Sequence, residues 1–364
     1  MSITVVDHLT EGKAVRVDNF TSPMAPVLQI SDLTIAAVSD KGKVLNELVQ
    51  GIDLSVRPGE MLGLVGESGS GKSVTATAVL DLLPKSLQVT AGNIYLSGIH
   101  LGSLSEKEKR RLRGKEIAYM FQNYQGSFTP IVKIGKQLVE TIRSHEQVSF
   151  KEAKEIALEW LQRVKLPAKR AFNSYPFQLS GGQLQRASLA AALMMKPSLI
   201  IADEPTTALD VLTGERVLDL LVDLQKETNC AVFLISHDLT HVLKRTDRMA
   251  VMYGGRIIET GPTESVRHNP QHPYTQLLLQ ARPLLTGRIP EKLTTIPGEP
   301  GAVAGQGCPF ALRCPSRIEE CAQAPVMKPM GEDHSAACHI LTAGGEPDNE
   351  DAAGGQTNQQ VVFC

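Results

Sequence analysis

One short motif constrains the fold of this chain more strongly than any other part of its sequence. Residues 66–73 read GESGSGKS, which fits the pattern G-x-x-x-x-G-K-[ST]. An apolar run of strand length, residues 61–65, precedes the motif, and residues 72–83 follow with helical spacing up to Pro84. The sequence therefore predicts a strand, a phosphate-binding loop and a helix at the start of an α/β domain.

The residue types of this loop suit a bound polyphosphate. Glycines let the backbone N–H groups turn inward around the β-phosphate, and the helix N-terminus adds its positive end. Lys72 is predicted to reach the β- and γ-phosphates of a nucleotide, and the Ser73 hydroxyl to ligate Mg²⁺. The residues predicted to bind the nucleotide here are Gly66, Glu67, Ser68, Gly69, Ser70, Gly71, Lys72 and Ser73.

A second apolar run ends in two adjacent carboxylates. Residues 199–202 read LIIA and are followed by Asp203 and Glu204. Asp203 is predicted to hold Mg²⁺ through water, and Glu204 to take a proton from an attacking water. Hydrolysis requires such a base, whereas nucleotide binding alone does not. An isolated Asp-Glu pair is usually surface charge, but its position after a buried-looking strand favours catalysis.

The pentapeptide LSGGQ at residues 179–183 narrows the choice of family. LSGGQ is the signature sequence of the ABC ATPases, and the chain resembles this family. The resemblance implies that the signature begins a helix whose N-terminus faces the γ-phosphate of ATP held by a second subunit. It also implies a Q-loop glutamine that senses Mg²⁺ and the permease, a D-loop aspartate and a switch histidine that touches the γ-phosphate. The residues at these positions are Ser180, Gly181, Gly182, Gln183, Gln122, Asp210 and His237.

The resemblance also predicts the domain organisation. We expect an α/β core of the P-loop NTPase class at residues 27–283, with a helical signature subdomain at about 122–190. Residues 1–26 are interpreted as an N-terminal extension, 284–341 as a small cysteine-containing C-terminal extension, and 342–364 as a disordered tail. By composition, residues 270–300 read as a proline-rich linker. The family's adenine-stacking aromatic residue is missing, and Ala37 stands at the expected position.

Motifs after the core resemble the C-terminal extension of ATPases that serve peptide and nickel uptake. They are HPYT at 272–275, IPG at 296–298, CPF at 308–310 and RCP at 313–315. The resemblance implies an ATPase that powers import of peptides or of nickel and other metal chelates. It slightly favours nickel or a metal chelate as the solute. Its implied partners are a second, paralogous ATPase, two transmembrane permease subunits and an extracytoplasmic solute-binding protein.

Four cysteines of the extension form a cluster in the sequence. Cys308, Cys314, Cys321 and Cys338 have the spacing C-x5-C-x6-C-x16-C. The resemblance associates such an extension with an iron–sulfur cluster, and four thiolates suffice for [4Fe–4S]. Zinc is the main alternative, because four cysteines also form a closed tetrahedral site and two histidines flank Cys338. A metal-free role is the third. The other two thiols, Cys230 and Cys364, are interpreted as a buried apolar residue and a tail thiol.

Charge and spacing disfavour other classes. The net charge of −2 and the absence of a basic stripe argue against a nucleic-acid partner. A single ATPase cassette without a long insertion argues against a soluble ABC ATPase that acts on nucleic acid or ribosomes. Glu204 argues against a regulatory ATP binder that does not hydrolyse. No apolar run approaches the roughly 20 residues that cross a bilayer, and no secretory signal is recognisable. We therefore expect a peripheral protein at the cytoplasmic face of the membrane.

Overall fold

The computed structural model describes residues 25–282, 295–299, 301–303, 305–331 and 333–341. The predicted disordered tail, Cys364 and nearly all of the predicted N-terminal extension lie outside these residues. Within them, none of the helices is long and apolar enough to cross a membrane.

The strands of the described residues form two sheets. They are β1 (Leu28–Val38), β2 (Val44–Val56), β3 (Met61–Val65), β4 (Leu87–Leu96), β5 (Ile99–His100), β6 (Ile117–Met120), β7 (Leu199–Asp203), β8 (Ala231–Ser236), β9 (Arg248–Tyr253), β10 (Arg256–Pro262), β11 (Lys328–Gly331) and β12 (His334–Ala336).

The α-helices lie between these strands and include a group of four between β6 and β7. They are α1 (Lys72–Val79), α2 (Glu106–Leu112), α3 (Ile134–His145), α4 (Phe150–Arg163), α5 (Ala168–Asn173), α6 (Gly181–Leu193), α7 (Val211–Thr228), α8 (Leu239–Arg245), α9 (Thr263–His268) and α10 (Pro273–Gln280). Short 3₁₀ helices occur at Leu101–Ser103, Tyr124–Ser127, Pro176–Gln178 and Glu319–Ala322.

The larger sheet has the strand order β11-β12-β10-β9-β3-β8-β7-β6. Neighbouring strands from β6 to β9 run parallel, and β10, β12 and β11 add antiparallel strands at one edge. The smaller sheet is antiparallel, in the order β2-β1-β4-β5. The chain is thus an α/β protein to which the C-terminal extension contributes the outermost hairpin of the main sheet.

The main sheet separates two hydrophobic cores. Successive side chains of a strand point to opposite faces, and β3 shows this clearly. Met61 and Val65 belong to the core beneath the helices, whereas Leu62 and Leu64 belong to the core beneath the smaller sheet. Because both faces are covered, the parallel strands consist almost entirely of apolar residues. The predicted strands at 61–65, 199–202 and 231–235 are confirmed.

Two predictions from the sequence are wrong in their boundaries. The helix predicted for residues 72–83 ends at Val79, because Asp81 adopts a left-handed φ of 53° and the Leu82 N–H bonds back to the Thr77 carbonyl at 3.1 Å. The linker predicted for 270–300 contains a helix, α10. His272 caps this helix, since its Nδ1 accepts from the Tyr274 N–H at 3.0 Å, and the Tyr274 side chain is fully buried. The two predictions rest on Pro84 and on proline content, and neither signal indicates the left-handed turn at Asp81 or the helix cap at His272.

The buried cap residue His272 predicts a pH-dependent stability. Burial lowers its pKa to about 4, against about 6.5 in an unfolded chain. Between these values the unfolded chain takes up a proton that the folded protein excludes, so this stability is fully present above pH 6.5 and is lost as the pH falls toward 4. We expect wild type to lose about 2 kcal/mol more than His272→Asn between about pH 7 and about pH 5.

Urea unfolding at the two pH values measures this difference. Asparagine keeps a side-chain cap without titrating, so equal pH dependence in both proteins would contradict the assignment to His272.

Candidate functional site

The carboxyl ends of four neighbouring parallel strands meet at one edge of the main sheet. The phosphate loop follows β3, Gln122 follows β6, Asp203 ends β7 and His237 follows β8. Strands β6, β7, β8 and β3 are adjacent in that order. Segments that are far apart in sequence are therefore brought together, at the edge where open α/β sheets bind ligands.

The phosphate loop adopts a conformation that requires glycine at two positions. Gly71, directly before α1, has a φ of +106°, which side chains rarely permit. At Gly66 a Cβ atom would collide with the carbonyl oxygen of Met252. Helix α1 then begins at Lys72, so its N-terminal N–H groups point into the loop.

Lys72 is held across this loop. Its Nζ donates to the carbonyl oxygens of Gly66 and Glu67, both at 2.8 Å, and to the Ser70 hydroxyl at 3.3 Å. Burial lowers the pKa of Lys72, and the carboxylates of Glu204, Asp203 and Glu67 oppose that shift. The ammonium group is therefore a partly desolvated cation, which suits an anionic ligand, and the nearby carboxylates favour its charged form.

Asp203 lies next to the phosphate loop and is bonded on both oxygens. Its Oδ1 accepts from the Ser73 hydroxyl at 3.1 Å, and its Oδ2 accepts from the Tyr119 hydroxyl at 2.8 Å. Burial raises the pKa of Asp203, while these two hydrogen bonds act in the opposite direction. A carboxylate and a hydroxyl at this distance are oxygen ligands of the kind that Mg²⁺ prefers.

Glu204 has a strained backbone and a crowded carboxylate. Its φ of +47° is unusual for a residue with a side chain. Its Oε2 accepts from Gln122 Nε2 and from the Thr207 hydroxyl, each at 3.0 Å, and lies 3.0 Å from Nδ1 of His237. Backbone strain of this kind persists where the surroundings hold it in place. Three side chains from three segments thus fix one carboxylate oxygen.

The LSGGQ segment lines a different surface. Ser180 caps α6: its Oγ accepts from the Gln183 N–H at 3.4 Å, and Gln183 Oε1 accepts from the Ser180 N–H at 3.0 Å. Ser180, Gly181, Gly182 and Asp210 line an open cleft of about 780 Å³. None of the described residues of the phosphate loop lines this cleft.

A single buried side chain ties the two surfaces together. Gln185, on α6, is 1% exposed and donates through Nε2 to the Pro205 carbonyl at 2.6 Å. Pro205 directly follows Glu204. The helix that carries the signature is therefore anchored to the segment that carries the acidic pair, although the two open on different surfaces.

Comparisons with known proteins identify the family of this chain. The model of the ABC transporter family matches residues 49–207, and that of the oligopeptide/dipeptide transporter C-terminal region matches residues 258–321. The chain is 41% identical over 328 residues to a Brucella ovis protein named as a peptide import ATP-binding protein, covering 86% of this chain and 96% of that protein. It belongs to the ABC transporter ATP-binding proteins. The prediction of this family from LSGGQ and its companion motifs is thus confirmed.

Two further relatives agree with this identification. The oligopeptide transport ATP-binding protein OppD of Bacillus subtilis is 41% identical over 320 residues, covering 86% of this chain and 89% of that protein. Among solved structures, the dimeric ATP-binding cassette MJ0796 in a post-hydrolysis state with ADP and Pi matches with a TM-score of 0.57 and 27% identity. That match covers 65% of this ABC ATPase and 98% of that chain.

The cysteines of the C-terminal extension are free thiols in a partly buried cluster. Cys308, Cys321 and Cys338 are buried, and Cys314 is partly exposed. Burial raises the pKa of Cys308 to about 11, and the Cys308 N–H donates to the Cys321 carbonyl oxygen at 3.0 Å. Burial also raises the pKa values of Cys314 and Cys338. Cys230 is buried, as predicted.

The thiols of this cluster are suitable metal ligands, but they are not arranged as a ligand set. Among the described residues, no three His, Cys, Asp or Glu side chains form a group that could hold a metal ion. The two histidines considered as zinc ligands have other partners. His334 Nε2 lies 2.9 Å from Glu259, and His339 Nε2 lies 2.9 Å from the Gln323 carbonyl oxygen. The predicted iron–sulfur cluster thus has no support from this geometry.

Several residues at the site were not predicted as site residues. Tyr119 pairs with Ile201 across β6 and β7, so its hydroxyl reaches Asp203. Thr207 follows Glu204 by three residues in a turn. The only available signals were a tyrosine in the strand before Gln122 and a threonine after the acidic pair, and neither is specific.

The Tyr119 hydroxyl predicts a measurable loss of stability. Tyr119→Phe removes one of the two side-chain donors to a buried carboxylate, so we expect the free energy of unfolding to fall by about 1–3 kcal/mol. Urea unfolding without nucleotide measures it. Tyr95→Phe is the matched control, because the Tyr95 hydroxyl has no hydrogen bond within the described part of the chain. Equal losses in the two variants would show that the bond to Asp203 contributes nothing.

Proposed function

We propose that this ABC ATPase hydrolyses ATP to power the uptake of peptides through a separate membrane permease. Peptides are proposed as the transported solute because residues 258–321 match the C-terminal region of oligopeptide/dipeptide transporters. The relatives from Brucella ovis and Bacillus subtilis are named for peptide and oligopeptide transport. The comparisons give no support to nickel or a metal chelate as the solute.

The residues of the phosphate loop and the acidic strand end suit the binding of ATP with Mg²⁺. In our proposal Lys72 and the N–H groups at the start of α1 hold the phosphates. Ser73, Asp203 and Gln122 would hold Mg²⁺, which supplies charge neutralisation at the phosphate oxygens. The hydrogen bond between Ser73 and Asp203 supports this assignment, because it brings two candidate ligands together.

Glu204 is proposed as the general base. A base must be held within reach of the proton that it abstracts, and the three contacts to its Oε2 fix the carboxylate at the edge of the phosphate loop. Gln122 and His237, which make two of these contacts, are proposed to orient the carboxylate. His237 is also proposed to touch the γ-phosphate, and Gln122 to sense Mg²⁺ and the permease. Loss of the γ-phosphate on hydrolysis would then remove a contact of His237, which shares the Glu204 carboxylate with Gln122 of the Q-loop.

The signature residues are proposed to act on ATP bound by a second, similar chain. Ser180, Gly181, Gly182, Gln183 and Asp210 lie at or beside an open cleft apart from the chain's own phosphate loop, which supports a site completed by a partner. We propose a heterodimer with a paralogous ATPase, docked on two transmembrane subunits at the cytoplasmic face and supplied by an extracytoplasmic solute-binding protein.

The iron–sulfur cluster remains a prediction from the family resemblance. No step of hydrolysis is assigned to it, because the four thiols are not arranged as a ligand set in the described residues. Iron and zinc analysis of anaerobically purified protein, with its visible absorption spectrum, distinguishes iron–sulfur, zinc and metal-free forms.

The proposed base is tested by Glu204→Gln. We expect this variant to bind ATP but to lose turnover by roughly 10²–10⁴-fold, since the amide cannot accept the proton. ATP turnover of the assembled transporter is measured, with Glu146→Gln, in an exposed ion pair with Lys115, as the control. A wild-type rate for Glu204→Gln would exclude Glu204 as the base.

The shared site is tested by Ser180→Arg. Arginine places bulk and a cation at the N-terminus of α6, so turnover of the assembled transporter should be lost while this chain still binds ATP. Ser149→Arg is the matched control, because Ser149 caps α4 with the same capping box and losing such a cap lowers stability by about 1 kcal/mol in either helix. Loss of this chain's own ATP binding in Ser180→Arg would contradict a site completed by a partner.

A further inference from the structure

The described part of the C-terminal extension, residues 295–299, 301–303, 305–331 and 333–341, packs directly on the phosphate loop. Phe310 is fully buried, and its ring lies against those of Tyr253 and Tyr274, with centroids 5.2 and 5.3 Å away. Such edge-to-face aromatic contacts fix orientation as well as burying area. The CPF, IPG and RCP motifs, to which the proposed hydrolysis assigns no role, all lie at this contact.

Arg313 is the charged centre of the contact. Its side chain is 2% exposed and forms an ion pair with Glu67, with 2.7 Å between Nη1 and Oε2. Its Nε donates to the Pro297 carbonyl at 2.6 Å, and Nη1 also donates to the Tyr253 hydroxyl at 3.2 Å. A charge is buried only when it is paired and hydrogen-bonded in this way. Glu67, Tyr253 and Pro297 of the IPG motif thus form one docking site for the guanidinium group of the RCP motif.

Glu67 is the second residue of the phosphate loop, and its N–H, its carbonyl and one carboxylate oxygen have hydrogen-bond partners. Its N–H donates to the Tyr274 hydroxyl at 3.0 Å, and its carbonyl accepts from Lys72. Its carboxylate accepts from Arg313 and, at 3.3 Å, from the Gly301 N–H. The extension and α10 therefore hold the backbone and the side chain of a residue within the loop.

The charge of Glu67 is unfavourable for the ligand of that loop. Glu67 lies beside Lys72, whose Nζ donates to the Glu67 carbonyl oxygen at 2.8 Å, so an unpaired Glu67 carboxylate would be close enough to repel a polyphosphate bound by Lys72. Arg313 cancels this charge and directs the carboxylate toward the extension. We propose that Arg313 is a positioning residue for ATP binding, which neutralises Glu67 and thereby makes the C-terminal extension part of the nucleotide site.

This inference rests on the proposed ATP site and predicts a particular sign of coupling. Arg313→Gln leaves Glu67 unpaired, so we expect MgATP binding to weaken by about tenfold, the size expected for one uncompensated charge at a partly solvated site. Glu67→Gln alone should bind at least as tightly as wild type. The double variant should regain near wild-type affinity, because no unpaired carboxylate remains.

The experiment is a calorimetric titration of the full chain with MgATP. The control is Arg57→Gln, which breaks a second ion pair between core and extension, the exposed 3.0 Å pair with Asp333, and should leave the affinity unchanged. Glu67→Asp is a milder variant that keeps the charge but shortens its reach to Arg313. It should also weaken binding, and it tests the proposal if Arg313→Gln fails to fold.

The outcomes separate the inference from the proposed function. A double variant as weak as Arg313→Gln, or wild-type affinity in Arg313→Gln or Glu67→Asp, would overturn the role of Arg313. A wild-type chain that binds MgATP no better than Lys72→Ala would instead overturn the proposed ATP site. Wild-type binding that is lost in Lys72→Ala but kept in Arg313→Gln would reject this inference alone.

Discussion

The shared direction of four parallel strands is the constraint on which the site depends. Strands β6, β7, β8 and β3 are hydrogen-bonded neighbours, and each delivers a functional segment from its carboxyl end. These segments can meet only because both faces of the sheet are covered, which keeps the strands buried and in fixed register. A shift of one residue in β7 would turn Asp203 away from Ser73 and Tyr119. The register of this sheet therefore determines both the core packing and the site geometry.

Glu204 shows how local strain serves this arrangement. A regular strand would continue the alternation of β7 and point the side chain after Asp203 to the opposite face. The left-handed φ of Glu204 breaks the alternation, and the carboxylate meets Gln122 and His237 on the same edge as Asp203. The hydrogen bond from the Glu204 N–H to the Ile235 carbonyl, 2.9 Å, holds the bend against β8. The two acids, adjacent in sequence, can thus have separate tasks.

Local patterns in the sequence were sufficient for the loop and the buried strands, because each depends on neighbouring residues. Glycines beside a strand predict a phosphate loop, whereas the start of α6 at the LSGGQ segment is implied by the family resemblance. The contacts of Tyr119, Tyr274 and Arg313 were not predictable, since each joins segments whose proximity follows from strand order. Arg313 and Glu67 are 246 residues apart. Their motifs could be recognised by resemblance, but no pattern indicated that they touch.

The hairpin of β11 and β12, at the far edge of the main sheet, can also influence the phosphate loop. Glu259, on β10, is fully buried and accepts from the N–H groups of Gln271 and His272, at 2.7 and 2.9 Å, and lies 2.9 Å from His334 on β12. One carboxylate thus joins the extension to the start of α10. Because α10 carries Tyr274, whose hydroxyl bonds to the loop, displacement of β12 would change the support of the loop even with Arg313 in place. The extension is therefore joined to the phosphate loop by two routes, the ion pair between Arg313 and Glu67 and the position of α10.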